Sequence, residues 1–319
     1  MSRAISLDTI RAAAPHVYAA AIRTPLVRLD PAADGAPEIW LKLETLQPIG
    51  AFKIRGAANA IAQLPKDTGA VWTVSAGNAA QGVALAAKRA GIRCSVLVMD
   101  TAPAAKIDAI RRLGAEIVQA PYDECWRAVE THTSDRMTGR CVHPFDDDAF
   151  ISGNGTAGLE ILEDLPDVDA VIAAVGGGGL LAGIGCAVKA LAPGVKIYSA
   201  EPETAAPLDA SFKVGHPVTF GAWQASFVDG AGGRSVLPSM WPLLRAYVDE
   251  SLVVTLDETA AAMKLAAQRC HVIAEGAGAC AIAAALSDRI RSAGHKRVVA
   301  VVSGGNIDLA RFAQLTGSV

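Results

Sequence analysis

Leu41-Lys42-Leu43-Glu44-Thr45-Leu46-Gln47-Pro48-Ile49-Gly50-Ala51-Phe52-Lys53-Ile54-Arg55-Gly56 carries the strongest structural signal in this chain. The alternation Ile39-Trp40-Leu41-Lys42-Leu43 predicts a strand that enters it. Pro48 and Gly50 break the strand, and a helix is expected from Phe52 to Ile61. Lys53 then falls at a helix start, near the positive end of the helix dipole and beside the cation Arg55. Both effects disfavour the ammonium form and make the amine a nucleophile near neutral pH. A single lysine is more often a solvated surface residue, so the weight rests on the motifs around it.

Working outward, a helix is expected over residues 6–19, an extended segment from Thr24-Pro25-Leu26, and a turn at Ala33-Asp34-Gly35. After Leu64-Pro65-Lys66-Asp67 the pattern alternates. Strands are expected at Val71–Val74, Cys94–Val98 and Glu116–Val118, and helices at Ala79–Ala90, Ala104–Leu113 and Cys125–Met137. Beyond the acidic run 146–148, expected as a solvated loop and crossover, come a helix at Thr156–Leu162 and a wholly apolar strand at Ala170–Val175. A helix at Leu180–Leu191 and a strand at Val195–Ala200 follow. Residues 202–250 read as irregular. Leu252–Leu256 and Val298–Val302 read as strands and Glu258–Cys270 as a helix. This β–α–β–α order predicts an α/β fold with parallel sheets.

The 319 residues suit one large domain or two moderate ones, and 51% are hydrophobic, ample for buried sheets. The uncharged run Val171–Val188 approaches a membrane span in length, but its four consecutive glycines favour strand, loop and helix. No apolar signal core opens the sequence, and the six cysteines (94, 125, 141, 186, 270 and 280) form no CxxC pair or zinc spacing. A cytoplasmic protein with free thiols is expected. A net charge of −3 without a basic tract speaks against nucleic acid as a partner.

Three further motifs bear on chemistry. Ser75-Ala76-Gly77-Asn78 follows a strand and opens a helix, whose free N–H groups can hold a carboxylate; an ordinary N-cap at Ser75 or Asn78 explains it equally well. Gly176-Gly177-Gly178-Gly179 sits in the same context and suits a phosphate. It is neither a Walker A loop nor a dinucleotide fingerprint, because Gly176, Gly178 and Leu181 read G-x-G-x-x-L. Ser303-Gly304-Gly305-Asn306 ends the last strand, where open α/β sheets bind ligands. A nucleophilic lysine beside a phosphate loop is what a Schiff base to pyridoxal phosphate requires.

In this order, Gln47-Pro48 through Gly50-Ala51-Phe52-Lys53-Ile54-Arg55-Gly56, Ser75-Ala76-Gly77-Asn78, the tetraglycine and Ser303-Gly304-Gly305-Asn306 resemble the fold type II pyridoxal-phosphate enzymes. The family in question is that of serine/threonine dehydratases and serine racemases, and the likeness runs over residues 24–308. The resemblance implies two parallel-sheet α/β domains of the tryptophan synthase β type, with the cofactor in the cleft between them. Residues 1–62 and 147–319 would form the larger domain and 63–146 the smaller. Lys53 would carry the cofactor and act as base, with Phe52 beside the ring and Asn78 on its phenolic oxygen. Gly176, Gly177, Gly178, Gly179 and Leu180 would hold the phosphate, and Ser303 would face the pyridine nitrogen. Ser75, Ala76 and Gly77 would take the substrate carboxylate, and Glu275 would lie on the substrate side.

The departures from the family pattern point to the reaction. Racemases carry a serine acid/base where this chain has Ala76, and a histidine where it has Ala79. A substrate-binding arginine of the racemases falls at Trp126, or one residue later at Arg127. The family's cation site would use Glu201 and the carbonyl of Ala205, but its further acidic ligand is Pro207, so no metal is expected. A homodimeric ammonia-lyase acting on a small-molecule 3-hydroxy amino acid is expected, with no nucleic-acid or membrane partner. The alternatives are a serine racemase, a β-replacing synthase, a NAD-binding protein, and a non-catalytic module that binds pyridoxal phosphate or an amino acid.

Overall fold

The computed structural model describes residues 3–29 and 36–317, so the turn expected at 33–35 lies outside the described residues. The first third of the chain comprises α1 (Leu7–Tyr18), β1 (Leu26–Leu29), β2 (Glu38–Leu43), α2 (Lys53–Ala62), β3 (Ala70–Val74), α3 (Asn78–Arg89) and β4 (Arg93–Met99). Then follow α4 (Ala104–Arg112), β5 (Glu116–Ala120), α5 (Tyr122–Thr131), β6 (Arg140–Cys141), α6 (Asp148–Asp164), β7 (Ala170–Ala174), α7 (Gly179–Leu191) and β8 (Lys196–Pro202). The remainder is α8 (Pro207–Val214), α9 (Trp241–Tyr247), β9 (Glu250–Val254), α10 (Leu256–Cys270), α11 (Gly276–Leu286), α12 (Asp288–Ser292), β10 (Arg297–Val302) and α13 (Leu309–Gly317).

The strands form two sheets, one of six strands in the order β1-β2-β10-β7-β8-β9 and one of four in the order β5-β4-β3-β6. Every pairing is parallel except β1 with β2. β7, Ala-Val-Ile-Ala-Ala, is buried at every residue, as a central parallel strand covered on both faces must be. β2, which leads to Lys53, pairs in parallel with β10 in the larger sheet, so the first and last motifs of the chain lie side by side.

Departures from the sequence-based expectation have local causes. α5 stops at His132, a left-handed C-cap, short of Met137. α6 begins at Asp148, well before Thr156, because Asp147 caps it through the N–H of Phe150 at 2.8 Å. The acidic run is thus not a solvated loop. Asp146 is buried and accepts from Arg3 and Ser239, each at 2.6 Å. The irregular region 202–250 contains α8 and α9. α11, Gly-Ala-Gly-Ala-Cys-Ala-Ile-Ala-Ala-Ala-Leu, has no polar face to betray a helix, since it is apolar all round and buried against the larger sheet. No helix among the described residues is long and apolar enough to cross a membrane. Cys94, Cys125, Cys186 and Cys280 are buried free thiols.

Candidate active site

A cavity of about 430 Å³ opens between the two sheets and takes lining residues from all four motifs. That size falls within the range of small-molecule sites. The first and last of these motifs are joined by backbone hydrogen bonds. Phe52 N–H donates to the Ser303 carbonyl at 3.0 Å and Gly305 N–H to the Gly50 carbonyl at 2.9 Å, with Ala51 bridged to Gly304 between them. Asn306 extends the join. Its Nδ2 donates to the Ile49 carbonyl at 2.7 Å and to Asn78 Oδ1 at 2.8 Å. Gly50 has φ +68°, and a Cβ there would lie 2.7 Å from Asn306 Oδ1, so this turn accepts only glycine.

Lys53 is the first residue of α2. Its Nζ donates to the Pro144 carbonyl at 2.6 Å and lies 5.1 Å and 5.5 Å from the ring centroids of Phe52 and Phe150. Its remaining exposed surface faces the cavity. Burial pulls its pKa down to about 8. The expected influence of Arg55 is absent, because that guanidinium lies on the far side of α2, paired with Glu44 at 2.7 Å and Glu160 at 2.6 Å.

Ser75 turns the chain into α3 by accepting from the N–H of Gly77 at 3.1 Å. The N-cap is Gly77, without a side-chain cap bond, and neither Ser75 nor Asn78 takes that role. The first N–H groups of α3 therefore lack both helical carbonyls and a side-chain cap, at the wall of the cavity. Asn78 Nδ2 donates to Glu275 Oε1 at 2.8 Å while its oxygen is held by Asn306. Ala76, Ala79 and Trp126 also line the cavity, whereas Arg127 is exposed and does not. Trp126 commits its indole N–H to Glu130 at 2.8 Å.

In the tetraglycine, Gly176 and Gly177 reach the cavity surface, and Gly178, Gly179 and Leu180 are buried directly behind them. Gly178 is the N-cap of α7 with φ +90°, and a Cβ on Gly177 would sit 2.1 Å from the Phe145 ring. Close packing and free helix-start N–H groups thus coexist in one loop. Ser303 is buried at the cavity floor, one residue past β10. Glu275, the N-cap of α11, is also buried, and burial first and the charge of Asp229 second push its pKa up to about 7.

Sequence reasoning did not single out Asn306 as the holder of Asn78, Pro144 as the acceptor for Lys53, or the exposed ion pair of Lys106 with Asp229 at the cavity rim. No local pattern reveals these partnerships, even for Asn306 inside a recognised motif, since each joins residues distant in sequence. Glu201 lies elsewhere. It is buried and accepts from Leu208 N–H at 2.9 Å, Asp209 N–H at 2.7 Å and Ser251 Oγ at 2.7 Å, so its carboxylate caps α8. Among the described residues no group of three or more His, Cys, Asp or Glu is arranged to hold a metal.

A buried amine of lowered pKa opposite glycine-rich helix starts fits a phosphate-bearing aldehyde. The model of the pyridoxal-phosphate dependent enzyme family matches residues 17–304. The chain belongs to that family. It is 40% identical to an L-threonine ammonia-lyase of Thermotoga maritima, over 85% of this chain and 68% of that protein. It is 38% identical to a catabolic L-threonine dehydratase of Staphylococcus aureus, over 97% of this chain and 91% of that one. Its backbone superposes on maize serine racemase with a TM-score of 0.90 and 33% identity, over 99% and 98% of the two chains. Pyridoxal phosphate is the cofactor of this family, and the two parallel-sheet units with a cleft between them are its fold.

Proposed function

We propose that the protein is an ammonia-lyase that eliminates water from a 3-hydroxy amino acid, releasing a 2-oxo acid and ammonia. The observation that carries this reading is the methyl of Ala76 in the cavity wall; the resemblance to the racemases implies a serine acid/base at this position. With no proton donor there, the α-carbon is not reprotonated from the second face. When bound, pyridoxal phosphate supplies an electron sink at the substrate α-carbon. Lys53 Nζ holds the cofactor and takes the α-proton. Ser75, Ala76 and Gly77, with the free N–H groups at the start of α3, would bind the α-carboxylate. Asn78, oriented by Asn306, would hydrogen-bond the phenolic oxygen. Gly176 to Gly179 and the N–H of Leu180 would hold the phosphate, Ser303 would serve the ring nitrogen, and Phe52 would pack beside the ring. Glu275 holds a proton beside Asn78 near neutral pH.

The substrate proposed is a bulky, uncharged one such as phenylserine. Trp126, Met99, Val129 and Leu237 form apolar cavity wall, Ala79 is small, and Lys106 at the rim is already paired with Asp229. Burying an aromatic ring there would contribute about 1.5–3 kcal/mol, or roughly ten- to a hundred-fold in kcat/KM. The proposed assembly is a cytoplasmic homodimer, its smaller domain comprising residues 63–146 and its larger domain the rest. The test is a panel of phenylserine, threonine and serine assayed for 2-oxo acid release, with proton NMR in deuterated water to follow racemisation. D-serine accumulating ahead of pyruvate favours the racemase reading. Equal or lower kcat/KM for phenylserine refutes the wide pocket.

A further inference from the structure

Directly behind Lys53 lies a group of four charged side chains that the proposed reaction does not use. Lys42, Glu44, Arg55 and Glu160 are each fully buried, and their formal charges sum to zero. Arg55 Nε and Nη2 donate to the two oxygens of Glu44 at 2.7 and 2.8 Å, and Nη1 and Nη2 to the two oxygens of Glu160 at 2.6 and 2.8 Å. Both carboxylates are held from elsewhere. Thr24 Oγ1 donates to Glu44 at 2.6 Å, and Lys42 Nζ and Tyr18 Oη donate to Glu160 at 2.6 and 2.8 Å.

We propose that this network makes Arg55 a positioning residue: it sets the roll of α2 about its own axis and so aims the Lys53 amine into the cavity. The idea rests on the reading of Lys53 as the cofactor-bearing amine. Lys53 and Arg55 are two residues apart, hence about 200° apart around the helix. Whatever pins one fixes the direction of the other. After Arg55, α2 offers only glycine and alanine besides Asn59 and Ile61. Asn59, one turn on from Arg55 and so on the same face, donates to the Ala149 carbonyl at 2.7 Å and meets His16 at 3.0 Å, which reinforces the same anchor. The other turns of α2 add little to fix its roll. Its crossings with α6 and α3 are made through glycines. A Cβ on Gly153 would fall 2.5 Å from the Arg55 carbonyl, and one on Gly82 3.0 Å from the Lys53 carbonyl. Smooth contacts of this kind bring helices close but do not index rotation as interlocking side chains do. A guanidinium bidentate to two carboxylates does, because its geometry is planar and directional. Buried charge networks add little net stability over apolar substitutes, so orientation is the contribution left to this one.

The test is the rate and pH dependence with which pyridoxal phosphate, added to the apoprotein, is trapped on Lys53 by borohydride and read by peptide mass. Two variants are compared with the wild type. Arg55→Lys keeps the charge and loses the fork. The combined change Lys42→Met, Glu44→Gln, Arg55→Met and Glu160→Gln removes all four charges without leaving one unpaired. Each folded variant is expected to trap the cofactor on Lys53 on the order of 10–100-fold more slowly, the cost of a misplacement of about 1 Å. The pH midpoint of trapping should move from that of the wild type, and kcat should fall more than KM rises. Trapping at the wild-type rate and midpoint in either folded variant overturns the proposal, as does failure of both to fold, which would make the network purely structural. Trapping on another lysine in the wild type would instead overturn the assignment of Lys53.

Discussion

The two faces of α2 treat charge in opposite ways. Behind the helix, Glu160 is buried among cations. Burial alone would raise its pKa, yet Arg55 and Lys42 hold it below the ordinary carboxylate range. In front, Lys53 is half-buried and Glu275 buried, neither with an opposite charge in salt-bridge contact among the described residues, and desolvation moves both toward their neutral forms near pH 7. The back is a set of complete pairs, which fixes geometry. The front leaves an amine and a carboxyl able to exchange protons in the neutral range, as catalytic groups require.

The contrast is tested most severely at Lys53. Lys53→Ala is expected to lower turnover by about 10³-fold or more, the scale of a lost acid–base group, while visible absorbance shows pyridoxal phosphate still held by the glycine loop. In the wild-type apoprotein, the amine is neutral above its pKa. Capture of the cofactor should therefore rise with pH and level off above about 8, well below an ordinary lysine.

On the other face, Glu160→Ala leaves Arg55 and Lys42 short of a partner in the core. It should cost about 3–5 kcal/mol in urea unfolding, with little pH dependence near neutrality. Glu275→Gln should do the reverse. The folded pKa of Glu275 is raised, so its contribution to stability is complete below about 4.5 and is lost as pH rises through about 7. The wild type should lose roughly 3 kcal/mol across that window, and Glu275→Gln should flatten the slope while keeping an acceptor for Asn78. Parallel stability–pH curves for the two proteins would contradict the carboxyl's shift.

The smallest effect concerns the substrate wall. Trp126→Arg should move the kcat/KM ratio of phenylserine to serine by about tenfold toward serine. An unchanged ratio would mean that Trp126 serves only to pack α5.

Much of this was legible in the chain. The α/β alternation, the strand leading to Lys53 and the two glycine loops follow local rules of periodicity and turn chemistry. Where local signals were weak the reading failed. α11 carries no amphipathic period, and the cap of α6 lies in an acidic run that resembled a solvated loop. The depressed pKa of Lys53 was anticipated in direction, but burial and not Arg55 is its cause, because Arg55 points away and is neutralised by Glu44 and Glu160.

What the sequence by itself determined is the order of the motifs and the residue types within them, since backbone propensity and hydrophobic period act over a few neighbours. Tertiary structure alone decided that β10 lies beside β2, so that Asn306 reaches Asn78, and that Glu160, more than a hundred residues on, meets Arg55. It also decided which ionisable groups are paired and which are left to titrate. Charge balance inside a protein depends on distance and burial in space, and neither is encoded by separation along the chain.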